Sequence, residues 1–81
     1  MSRSAKLVER FKKRPSDFQW SEMVRLLEGY GYSEGNGRGS RKVFEADGLP
    51  RIRLHRPHPS NIVKRYVIDQ VIEILEGEGL L

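Results

Sequence analysis

The chain has 81 residues, of which 15 are Lys or Arg and 11 are Asp or Glu, for a net charge of +4, and it has no cysteine. That length holds one modest core and one domain over residues 1–81, because the share of surface that can be buried falls with size. Lack of cysteine excludes disulfides and thiolate metal sites, and no apolar run approaches the roughly 20 residues that cross a bilayer. Met1 is followed by charge and not by an apolar leader, so a soluble, cytoplasmic protein without a membrane partner is expected. The charge is unevenly placed. Residues 37–65 carry eight basic side chains against two acidic, whereas 66–81 carry four acidic and no basic ones. A concentrated positive stretch points to a polyanion such as RNA; an ordinary solvated face has the same composition, and both readings stay open at this level.

Leu7, Val8 and Phe11 recur at helical spacing among charged residues, which predicts a short amphipathic helix ending near Arg14, ahead of Pro15. Residues 1–15 then form an accessory helix that needs a docking surface, and residues 20–81 form the main unit. Ser16 to Gln19 reads as a linker. Trp20, Met23, Val24, Leu27 and Tyr30 make an apolar stripe for a second helix, with Glu22 in the favourable first turn and Gly31 as its stop. Tyr32–Gly35 reads as a weak strand, and Asn36-Gly37-Arg38-Gly39 as a hairpin or loop. Arg41–Ala46 and Arg51–His55 are two further strands joined by a turn at Asp47-Gly48. Period-two alternation buries Phe44, Ile52 and Leu54 and turns Arg41, Arg53 and His55 outward.

Two prolines forbid a central strand at Arg56-Pro57-His58-Pro59. Ser60 and Asn61 are suitable caps for a last helix running to about Glu76, with Val67, Ile68, Val71, Ile72, Ile74 and Leu75 as its buried face. Lys64 and Arg65 then sit in the first turn, against the helix dipole. Such placement suits an anion site, and a rim salt bridge suits it equally. The order is α-α-β-β-β-α, an α+β fold in which helices cover one face of a three-stranded antiparallel sheet.

The chemistry concentrates in residues 39–65. An imidazole exchanges protons near neutral pH, which lysine and arginine do not do readily. RNA cleavage needs little more, since the ribose 2′-OH is an internal nucleophile and cations stabilise charge on the phosphate. His55 and His58, among Arg41, Arg53, Arg56, Lys64 and Arg65, meet that need; the plainer alternative is that His58 anchors a loop and His55 ends an edge strand. Two histidines without a third ligand at suitable spacing imply no metal site. Gly35–Gly39 lacks the phosphate-loop pattern. Tyr32, Phe44 and Tyr66 are not spaced as a stacking platform for single strands, and no helix-turn-helix with a basic recognition helix appears.

Taken together, SEMVRLLEGYGY, GSRKVF, RPHP and KRYVIDQVIEILEGEGLL resemble the HicA family of bacterial and archaeal toxins over Trp20 to Leu81. The resemblance implies a fold like that of double-stranded-RNA-binding domains, metal-independent messenger-RNA endonuclease activity without a cofactor, and neutralisation by a HicB antitoxin. Family members commonly carry a catalytic histidine directly after the Gly-Ser pair, where this chain has Arg41; arginine keeps its proton. His58 matches the family's Pro-His position, and His55 is additional. The expected catalytic set is therefore His55, His58 and Arg41, with Arg38, Lys42, Arg51, Arg53, Arg56, Lys64 and Arg65 as RNA contacts. The alternative is a catalytically silent RNA-binding module of the same fold.

Overall fold

The computed structural model describes residues 3–35, 37 and 39–81. Its elements are α1 (Arg3–Lys12), α2 (Trp20–Gly29), β1 (Ser33–Gly35), β2 (Arg41–Glu45), β3 (Ile52–His55) and α3 (Arg65–Gly77). The strands form one antiparallel sheet in the order β1-β2-β3, giving the α+β arrangement α-α-β-β-β-α expected from the sequence. Arg38 lies outside the described residues.

Alternation along the strands decides what the sheet buries. Phe44, Ile52 and Leu54 point to one face and are buried with Trp20, Met23, Leu26 and Leu27 of α2 and Ile68, Val71, Ile72 and Leu75 of α3. The rings of Trp20 and Phe44 meet at 5.9 Å between centroids, tilted, a geometry favoured by aromatic quadrupoles. Gly31, at φ 94°, ends α2: its N–H donates to Glu28 and the Tyr32 N–H to Leu27, the paired bonds of a left-handed helix stop that glycine adopts without steric cost. That turn drops Tyr32 into the core, where its hydroxyl donates to the Pro50 carbonyl at 2.7 Å. Leu80 and Leu81 fold back against the same core.

The segment read as a linker is part of this core. Phe18 is fully buried, as is Phe11 of α1, and their rings stand 5.2 Å apart. Arg10 clamps the two helices from outside: its Nε donates to Glu22 Oε2 at 2.9 Å and a terminal nitrogen to the Asp17 carbonyl at 3.1 Å. Glu22 also accepts from the Gln19 N–H at 2.9 Å, closing the first turn of α2. The Arg10 hydrogen bond, seconded by that of Gln19, holds the Glu22 carboxyl below its ordinary value, while burial opposes them.

The last helix begins later than expected. Ser60 and Asn61 do not cap it; Lys64 is its N-cap and Arg65 its first residue. The reason is a non-local pairing. The Trp20 N–H donates to the Asn61 carbonyl at 2.8 Å and the Val63 N–H to the Phe18 carbonyl at 2.7 Å, with Gln19 opposite Ile62. Backbone bonds and the burial of Val63 keep 61–63 extended, and Ser60 Oγ accepts instead from the Ile62 N–H at 3.1 Å.

Two measurements follow. Phe18→Ala should lower the free energy of urea unfolding by about 3–5 kcal/mol, far more than a linker residue would. Glu22 has a depressed folded-state pKa, so its contribution is complete above the unfolded-state value and is lost as pH falls through the folded one. Glu22→Gln should therefore melt below the unaltered protein at neutral pH, the gap closing on acidification.

Candidate functional site

The outer face of the sheet carries the residues that the core does not need. Cα register places Arg41 opposite His55 and Val43 opposite Arg53, so these four share one face. The Arg56 N–H donates to the Ser40 carbonyl at 2.7 Å. That bond joins the next pair along the ladder and makes Arg41–His55 a non-hydrogen-bonded pair, the position at which cross-strand side chains approach most closely. Gly37 helps to set this edge: a Cβ there would lie 1.9 Å from the Arg41 carbonyl oxygen, so no other residue fits without moving β2. Arg41, Arg53 and His55 border a shallow concavity of about 410 Å³.

A second depression, of about 280 Å³, lies between β3 and the start of α3. His55 and Arg53 line it from the strand, Arg56 and His58 from the proline-bounded loop, and Lys64 and Tyr66 from the helix. No acidic side chain among the described residues lines it. The two hollows share Arg53 and His55. Prolines 57 and 59 offer no N–H, and the bridge between 18–20 and 61–63 fixes the far end of the loop. His58 is thereby brought to the hollow that His55 borders, and the two imidazoles flank one space.

Ion pairing sorts the expected cations into two sets. Arg51 Nε is 2.9 Å from Glu45, and Lys42 Nζ is 3.9 Å from Glu34. Lys42 also belongs to the Phe44 and Leu54 side of the sheet, away from Arg41 and Arg53, because it alternates with both neighbours on β2. In contrast, Arg41, Arg53, Arg56, Lys64 and Arg65 make no ion pair among the described residues. All five are exposed. Lys64 and Arg65 also stand where the helix presents its positive end, so cation and dipole add rather than cancel. The rim salt bridge that would account for them is not formed among the described residues. No cluster of three or more His, Cys, Asp or Glu side chains among the described residues is placed to hold a metal ion, and no helix among them is long and apolar enough to cross a membrane.

Spacing along the chain sets Tyr66 aside together with Tyr32 and Phe44, but the fold separates it from them. Tyr32 and Phe44 are buried, whereas Tyr66 is 67% exposed, the one large hydrophobic so placed among the described residues. Its helical phase would have revealed this, because position 66 lies about 170° from the middle of the Ile68, Val71, Ile72 and Leu75 face at 3.6 residues per turn.

These features define a small basic α+β protein whose solvated sheet face and one adjoining hollow present imidazoles and unpaired cations. Residues 20–76 match the family model for the HicA toxin of bacterial toxin-antitoxin systems. The chain belongs to that family, as a toxin whose counterpart is an antitoxin. Comparison with curated proteins and with solved structures gives no match. The matched span takes in both hollows and excludes α1.

The sorting of cations can be checked with a polyanion of known charge spacing. Arg53→Gln, Arg56→Gln and Lys64→Gln should each lower the slope of log affinity against log salt by roughly 1. Lys42→Gln and Arg51→Gln should leave it nearly unchanged, since their charges are already answered within the protein.

Proposed function

We propose that the chain is an RNA endonuclease that arrests growth by cutting messenger RNA and is restrained by a HicB-like antitoxin. The observation that carries this reading is the pairing of Arg41 with His55. Where the family resemblance calls for a histidine on β2, this chain has an arginine, and the imidazole stands directly across the ladder on β3. In this reading proton transfer and phosphate binding fall to the two members of one cross-strand pair, side by side.

In this mechanism Arg41 and Arg53 hold the scissile phosphate and offset the charge that builds on it. His55, neutral, takes the proton of the adjacent 2′-hydroxyl as its oxygen attacks phosphorus. The bond from phosphorus to the 5′-oxygen breaks, and His58, protonated, returns a proton to that leaving oxygen. The products are a 2′,3′-cyclic phosphate and a free 5′-hydroxyl. The nucleophile lies within the substrate, so the chain need only position it and move protons. An antitoxin with an acidic or occluding surface laid over the unpaired cations would exclude RNA by occupying the same face.

His55→Ala should slow cleavage of a labelled RNA by about 10²- to 10⁴-fold, and the reciprocal exchange R41H/H55R should recover part of it. Cyclic phosphate termini are expected on the products. Unchanged cleavage in both His55→Ala and His58→Ala would sink the mechanism. RNA that is bound but stays intact would instead identify the catalytically silent module.

A further inference from the structure

Tyr66 is no part of the hydrophobic core. The side chain is 67% exposed, lies on the outward side of α3 and makes no hydrogen bond to another described residue. It nevertheless lines the hollow that holds His55, His58 and Lys64. An aromatic face beside unpaired cations, in a hollow that no acidic residue lines among the described residues, suits a nucleobase, because every base has a π-face and its phosphate is drawn by the neighbouring charge. A base paired within a duplex shows no such face, since both sides are stacked.

We propose that Tyr66 is a binding residue that stacks on one unpaired base next to the phosphate held by the sheet face. The inference rests on the RNA reading given above. It gives the cleft a polarity: β2 and β3 hold the backbone through Arg41 and Arg53, while α3 holds a base. One ring stacks one base, so this is a single anchoring point and not the multi-aromatic platform that the sequence lacks. A nucleotide flanking the cut must leave its stack to reach Tyr66, which favours loops and single strands over helices. An acidic protein surface could also cover this face, but a flat ring among cations on a cleft wall matches the alternating base and phosphate of RNA more fully.

The test uses the full chain and an unpaired oligoribonucleotide methylated at its 2′-oxygens, so that it binds without being cut. Tyr66→Ala should weaken binding by about 5- to 150-fold, and Tyr66→Phe should hold close to the unaltered value because the ring is kept. The salt slope should not move, as no cation has been removed. The loss should vanish for an oligomer made abasic throughout. Because Tyr66 is exposed, the variant should melt with the unaltered protein. Equal affinity of Tyr66→Ala and the unaltered chain for the intact oligomer would overturn the stacking role while leaving the RNA reading in place. Failure of the unaltered chain to bind the oligomer would overturn both. If Tyr66→Ala loses affinity for the antitoxin but none for RNA, the ring belongs to the protein interface and the stacking role is likewise overturned.

Discussion

A strand can bury only every second residue, and much of this molecule follows from that constraint. Once Phe44, Ile52 and Leu54 enter the core, Arg41, Arg53 and His55 have no freedom to do so. A slip of one residue in the β2–β3 register would move the charged set inward and the apolar set outward together. The register is thus held by the hydrophobic effect on one face, and it fixes which charged side chains stand on the other. The Arg41–His55 pairing needs no attractive contact between the two side chains; the core beneath them enforces it.

The second constraint acts at longer range. Hydrogen bonds from Trp20 to Asn61 and from Val63 to Phe18 tie the entry of α2 to the entry of α3. They keep 61–63 extended, delay the helix to Arg65 and hold the proline-bounded loop beside β3. Without that tie the loop would have no fixed relation to the sheet, and His58, Lys64 and Tyr66 would not share a hollow with His55. The same tie carries Phe18 into the core, where Phe11 of α1 joins it. The helix outside the span matched by the family model therefore supports the inner end of the segment that carries His58 and Lys64.

What could be read from the sequence divides along the same line. Element order, strand alternation and the stop at Gly31 depend on near neighbours, and the structure has them where the pattern placed them. The start of α3 does not. Ser60 and Asn61 are good caps by type, yet a backbone pairing across some forty positions outcompetes them, and nothing local to residues 60–65 announces it. Phe18 was hidden for the same reason: a lone aromatic beside Ser16 and Asp17 carries no periodicity. Among the basic residues, the division between Arg51 and Lys42 on one side and Arg53, Arg56 and Lys64 on the other depends on where Glu45 and Glu34 fall. Composition gives the number of charges, but only the fold says which are already neutralised. Tyr66 is the opposite case, since its phase on α3 was there to be read once the buried face was chosen.

Leaving five cations and two imidazoles on a solvated surface puts them under little constraint from packing. None of them is buried, and none pays the desolvation cost that buried charges incur. Residues on such a face can change identity while the core stays as it is, which is how an arginine can stand on β2 where the resemblance calls for a histidine and an imidazole can stand across from it on β3. The ladder supplies two facing positions of nearly equal reach. Along a strand, by contrast, the next residue on the same face lies two positions away. Exposure has a consequence for control as well. Arg41, Arg53, Arg56, Lys64 and Arg65 have no ion-pair partner among the described residues, so under the reading proposed above an antitoxin surface that answers those charges would compete with substrate by the same electrostatics that draw substrate in.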